Sequence, residues 1–169
     1  GKTVFIVYTD DTILLGPDKE EIDQLVEKLG KTFKIEDQGN LSDYLGIKIE
    51  RKPDGTLEWT QPTLTQSILK DLKLDGEEIK GKQNKPNIKS VPANTSVPLT
   101  DHRESPDHNP KDFEYRHVIG KLLYLEKSTR PDISCAVHQC ARHCANPKIQ
   151  HTAAVKRIGR YLLETKDKG

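Results

Sequence analysis

Apolar residues come in crowded stretches along this chain, and their spacing within each stretch predicts a type of element. Residues 4–7 and 13–15 are short β-rich runs on either side of Asp10-Asp11, which predicts a hairpin with the two acids at or beside its tip. Both runs are almost wholly apolar, so the hairpin is expected to be covered on at least one face. Its two charges must stay wet or bind cations. Gly16-Pro17 then breaks the strand, and Asp18 with an acid three residues on has the form of a helix start. Ile22, Leu25, Val26, Leu29 and Phe33 follow at helical spacing, for an amphipathic helix ending between Gly30 and Lys34.

Leu45, Ile47 and Ile49 alternate with polar positions, Pro53-Asp54-Gly55 is turn chemistry, and residues 56–60 alternate back, so a second hairpin is expected. Leu64, Ile68, Leu69 and Leu72 mark a helix with Pro62 in its first turn. Residues 76–112 lose all periodicity and read as an irregular, exposed linker. Beyond them, Val118, Ile119, Leu122, Leu123 and Leu125 form one helical face, and Gly120 inside that run is expected to mark the close approach of another helix. Thr129-Arg130-Pro131-Asp132 should end that helix and start the next. Ile133, Ala136, Val137, Cys140, Ala141 and Cys144 make a continuous stripe. After Asn146-Pro147, Ala154, Val155, Ile158 and Leu162 face inward while Lys156, Arg157 and Arg160 point elsewhere. The pattern predicts an α+β chain in three parts: hairpins and helices over 1–75, a linker over 76–112, and a three-helix region over 113–169.

Composition narrows this. Of 169 residues, 33% are apolar, 5% aromatic and 31% charged, which allows a modest core with long loops. There is no run of about 18 apolar residues for a membrane span and no signal-peptide pattern. The chain has no methionine and opens inside a strand, so it reads as a piece of something longer. Three clustered cysteines suit a reducing, intracellular setting better than a disulfide framework. The net charge of +1 hides a gradient: 10 basic against 15 acidic residues over 1–75, a balance over 76–112, and 11 basic against 5 acidic over 113–169. The acidic part suits a metal ion and the basic part suits phosphate.

Two clusters invite metal chemistry. Asp10 and Asp11 offer hard oxygen donors at a turn. Cys135, His138, Cys140, His143, Cys144 and His151 offer zinc-type donors, but Cys140 and Cys144 lie on the apolar stripe while Cys135 and His138 lie off it. Four ligands do not converge, and no zinc site is expected.

Tyr8-Thr9-Asp10-Asp11 resembles the Tyr-x-Asp-Asp box of reverse transcriptases, and Leu45-Gly46, a return strand and Gln61 resemble the primer grip that follows it. The last third is more specific still. Tyr115-Arg116, the run 119–125, Thr129-Arg130-Pro131-Asp132-Ile133, Pro147, His151, Lys156-Arg157-Ile158 and Arg160-Tyr161-Leu162 closely resemble the copia-type LTR-retrotransposon reverse transcriptase. The resemblance runs from about residue 3 to the end. It departs from the family's habit at Thr9 and at Thr152.

That resemblance implies a partial polymerase palm followed by a thumb-like helical region, taken from a polyprotein that also carries protease, integrase and ribonuclease H. It implies RNA-directed DNA synthesis by two-metal phosphoryl transfer with Mg²⁺ or Mn²⁺, with template-primer and dNTP as partners. Asp10 would be the principal ligand, Asp11 the supporting acid, and Tyr8 a neighbour of the primer end. Lys156, Arg157 and Arg160 would follow a nucleic-acid backbone. The family also needs an aspartate upstream and the fingers, so this chain is expected to be inactive alone. Cytoplasmic virus-like particles, with the nucleus as an alternative, are the implied setting. A non-catalytic nucleic-acid-binding module and a decayed remnant are the other readings left open.

Overall fold

A computed structural model describes residues 2–75, 90–94, 99–100, 106–107, 109 and 111–168. Most of the 76–112 linker therefore lies outside the described residues. The chain is mixed α and β and divides into two compact units, Gly1–Leu45 and Gly46–Gly169. No helix among the described residues is long and apolar enough to cross a membrane.

In the first unit, β1 (Val4–Tyr8) pairs antiparallel with β2 (Asp11–Leu15), in the register Val4↔Leu15 to Tyr8↔Asp11. Helix α1 (Lys19–Gly30) starts at Asp18, whose carboxylate accepts from the Glu20 amide at 2.9 Å. Its first turn holds Glu20 and Glu21 and its last turn Lys28, each sign at the end where the helix dipole favours it. A short strand β3 (Asp43–Tyr44) closes the unit. The expected covering of the hairpin is not found: all five β1 residues are exposed, Val4 at 50% and Phe5 at 49%. The reason is local. A two-stranded ribbon has no second layer of its own, and α1, the unit's helix among the described residues, buries none of its side chains.

The second unit holds the core. β4 (Ile47–Arg51) and β5 (Leu57–Thr60) form the expected hairpin, closed where the Asp54 carboxylate accepts from the Thr56 amide at 2.9 Å and Gly55 takes φ +87°. Helix α2 (Pro62–Asp71) begins on the proline, whose missing N–H costs nothing in a first turn. α2 packs with α3 (Tyr115–Ser128) and α5 (Ile149–Glu164), and α4 (Ser134–Ala141) packs with α3 and α5 in turn. Ile68, Leu69, Leu72, Val118, Leu122, Leu125, Val137, Val155, Ile158 and Leu162 are all at or near zero exposure. The Thr-Arg-Pro-Asp break behaves as expected: α3 stops at Ser128 and a 3₁₀ turn, Pro131–Ile133, feeds α4.

That break is fastened from within. Arg130, 2% exposed, bonds both oxygens of Asp132 at 3.0 and 2.8 Å. Two more of its guanidinium donors reach the Thr165 carbonyl at 2.9 Å and the Thr165 hydroxyl at 2.6 Å. Tyr161 donates to Asp132 Oδ2 at 2.7 Å and lays its ring 5.6 Å from the guanidinium carbon. A buried cation is tolerable here because its charge is paired and four of its five donors are used. The turn after α3 is thereby tied to the end of α5.

The close helix approach expected at Gly120 occurs elsewhere. A Cβ built on Gly120 meets nothing within 4 Å, whereas one on Gly159 would lie 2.6 Å from Leu72 Cδ1 and 2.7 Å from Leu74 Cδ1. Gly159→Ala should therefore lower stability by about 1–3 kcal/mol as the buried leucines are forced aside. Gly120→Ala, on an exposed helix interior, should raise it by up to about 1 kcal/mol. Urea midpoints of the two variants check both signs.

Asp132 carries a pH dependence. Burial pushes its carboxyl up, but the hydrogen bonds from Arg130 and Tyr161 and the guanidinium charge outweigh burial and hold it below the usual range. A carboxyl lowered by folding contributes stability above its unfolded value, about 3.9, and that contribution is lost as pH falls through the lower folded value. The stability gap between wild type and Asp132→Asn should be full at neutral pH and close below about pH 4. A gap that stays constant down to acid pH would contradict this account.

Candidate functional site

The acid pair sits where a two-residue loop requires it. Tyr8 and Asp11 are cross-strand partners, which leaves Thr9 and Asp10 as the two turn residues. Thr9 takes φ +52°, and Asp10 is not among the positive-φ residues. A positive φ at the first central position alone is the type II′ pattern, which normally places glycine there. A β-branched threonine in that region is strained, at a cost of order 1–3 kcal/mol. The turn presents Asp10 at the tip and Asp11 at the first position of β2, both exposed. Tyr8 lies opposite Asp11 on the same face of the ribbon and is 60% exposed.

Two adjacent carboxylates fit a small hard cation that keeps several waters and takes its remaining oxygens from a bound phosphate. They do not make a closed cage. Among the described residues, no group of three or more His, Cys, Asp or Glu side chains that could hold a metal ion is found.

The zinc-type residues scatter. Cys140 is buried and its thiol is pushed up to about 12 by desolvation, Cys144 is raised by burial as well, and Cys135 is exposed. His138 meets Glu126 at 3.2 Å. His143 and His151 stack with ring centroids 3.8 Å apart, and His151 Nδ1 accepts from the Lys148 amide at 2.9 Å. Buried thiols with raised pKa are inert packing groups.

The remaining candidates have different surroundings. Leu45 and Gly46 are consecutive left-handed residues, φ +51° and +73°, the backbone that a primed two-residue turn requires. Gln61 is 3% exposed; its Oε1 accepts from Thr129 Oγ1 at 3.1 Å, and its Nε2 is buried without a partner among the described residues. Lys156, Arg157 and Arg160 are all half-buried on α5. Arg157 is engaged, its Nε donating to the Val91 carbonyl at 3.2 Å. One pairing left no trace in the sequence pattern: Lys148 Nζ meets Asp107 at 2.5 Å across 41 residues.

Residues 1–83 match the family model described as reverse transcriptase (RNA-dependent DNA polymerase). The chain is 33% identical over 166 residues to a retrovirus-related Pol polyprotein from transposon RE2 of Arabidopsis thaliana, covering 97% of this chain and 10% of that protein. It is 31% identical over 173 residues to the Pol polyprotein from transposon TNT 1-94 of Nicotiana tabacum, covering 96% and 12%. It is also 29% identical over 161 residues to an uncharacterized mitochondrial protein of Arabidopsis thaliana, covering 95% and 61%. No solved structure matches the chain. This sequence belongs to the reverse transcriptase family of retrotransposon Pol polyproteins. It spans about a tenth of the length of the Pol polyproteins it matches.

Relieving the strain at Thr9 should be measurable without touching the acids. Thr9→Gly should slow amide hydrogen exchange across β1 and β2 by the equivalent of about 1 kcal/mol or more, with α3 amides unchanged. Equal or faster exchange in the variant would count against a strained turn.

Proposed function

We propose that this chain is part of the polymerase domain of a copia-type retrotransposon reverse transcriptase, and that Asp10 and Asp11 hold Mg²⁺ or Mn²⁺ for RNA-directed DNA synthesis. The observation that carries the reading is the acid pair on a tight hairpin turn, exposed, opposite a tyrosine, in a chain of this family. When bound, two such ions would activate a primer 3′-hydroxyl and steady the triphosphate. The chain's own contribution is to present Asp10 and Asp11 on one turn with their oxygens in water, where a hydrated cation and a phosphate can reach them. Tyr8 offers a ring face on the same side of the ribbon as Asp11, which supports a role beside the primer end.

The two acids are an incomplete ligand set, so polymerisation in this reading requires a further carboxylate from elsewhere in a longer product, and the 169 residues alone are inactive. Lys156 and Arg160, one helical turn apart, would meet template-primer phosphates, with Arg157 beside them. Partners in this reading are template-primer, dNTP and the rest of the Pol polyprotein, inside cytoplasmic virus-like particles.

Two measurements test it. Substoichiometric Mn²⁺ should broaden the NMR signals of Asp10 and Asp11 selectively, and Asp10→Asn should abolish that effect. In a longer Pol polypeptide that extends a primer on RNA, Asp10→Asn should lower the rate by roughly 1,000-fold, the equivalent of about 4 kcal/mol of lost stabilisation. Extension by the isolated chain, or a longer enzyme indifferent to Asp10→Asn, would refute the assignment.

A further inference from the structure

The cations around α5 divide into two groups by what they meet. Lys156 and Arg160 share a face, and neither has a hydrogen-bond or ion-pair partner among the described residues. Arg157 and Lys148 are met by described residues that lie between α2 and α3 in sequence. The Val91 carbonyl accepts from Arg157 Nε at 3.2 Å, and the Thr100 carbonyl takes the Gln150 amide and lies 3.2 Å from His151 Nε2. The Pro106 carbonyl accepts from the Ile149 amide at 2.9 Å, and Asp107 pairs with Lys148. Taken in order, residues 91, 100, 106 and 107 meet α5 at 157, 150–151, 149 and 148. The contacts therefore run antiparallel to the helix, from Arg157 back to the Lys148 N-cap.

From this we propose an autoinhibitory strap: Val91 and Asp107 occupy Arg157 and Lys148, so that α5 meets a nucleic-acid backbone with Lys156 and Arg160 until phosphates displace the two cis contacts. The proposal rests on the reading that α5 meets nucleic acid. Its polar contacts are of an exchangeable kind. The Lys148 side chain is 12% exposed but Asp107 is 74% exposed, and an ion pair to so exposed an acid is weak against a phosphate at low salt. Arg157 meets the strap through a single N–H to a backbone carbonyl, a neutral acceptor that a charged phosphate can displace. The apolar contacts differ in kind: Ala93 and Leu99 pack against the core and would hold the segment in place while its polar contacts exchange.

The test is anisotropy of a labelled DNA duplex of ~20 base pairs with the 169-residue chain, at about 50 and about 200 mM salt. Asp107→Ala, an exposed substitution, should tighten low-salt binding. It should also widen the affinity ratio between the two salt concentrations by about 3.5-fold, the effect of one added phosphate contact with a slope near 0.9. Asp107→Ala with Lys148→Ala should bind no better than Lys148→Ala alone. Unchanged affinity in Asp107→Ala overturns the strap, and so does a gain that survives Lys148→Ala, since that would be net charge alone. Loss of binding in Lys156→Ala with Arg160→Ala supports the α5 reading separately. Indifference to that pair, with the Asp107→Ala gain intact, removes Lys156 and Arg160 from the reading but keeps the strap. No binding by any variant overturns both.

Discussion

Every buried apolar side chain among the described residues lies between Ile68 and Leu162. The chain has few apolar residues to use, and it concentrates their burial in one layer of packed helices instead of spreading it along its length. Much else follows. The β4–β5 hairpin, α2, α3, α4 and α5 form one unit because that layer needs all four helices to close. Residues 2–45 contain no buried position and draw on hairpin bonds, a helix cap and exposed i,i+4 pairs, which are individually weak.

Within the helical layer, one polar interaction does work that apolar contacts cannot. A Pro after Arg130 forces α3 to stop, and the turn that results would leave carbonyls and a cation in a dry place. The Arg130 guanidinium resolves this by bonding the next acid and the end of α5 at once. Leucines could fill the volume, but they are non-directional and would not set where α5 ends relative to the turn. Directionality is what the guanidinium supplies.

Elements written as a local period were legible in the sequence: both hairpins, the Asp18 cap, the Pro62 start and the helix break at 129–132. Gly159 is legible too, from its position against the stripe. It sits among Val155, Ile158 and Leu162 on the buried side, while Gly120 falls off the Val118–Leu122 side into solvent. The Asp107–Lys148 pair and the Val91–Arg157 bond were not legible, because contacts across 41 and 66 residues have no period to announce them. The exposed hairpin shows a different limit. An apolar run states that a strand is suited to burial and says nothing about which part of a protein covers it. Of the candidate site, the acids could be placed on their turn from sequence. The left-handed threonine beneath them could not, since nothing in the residue's chemistry favours that backbone.

The two halves of the proposed chemistry therefore rest on opposite kinds of structure. The acids stand on a strained turn of an uncovered ribbon, where local opening is cheap and small changes in the backbone at Thr9 move both carboxylates together. The α5 cations stand on a helix whose other face is fully buried, so their spacing is fixed by Val155, Ile158 and Leu162 beneath them. Phosphate binding along a regular backbone needs fixed spacing and tolerates modest chemistry, which a well-packed helix gives. Cation binding by two acids needs oxygens that stay hydrated and can adjust to a ligand shell completed by others, which an exposed turn gives. In the proposed reading, each group stands where the stability of its surroundings suits the task assigned to it.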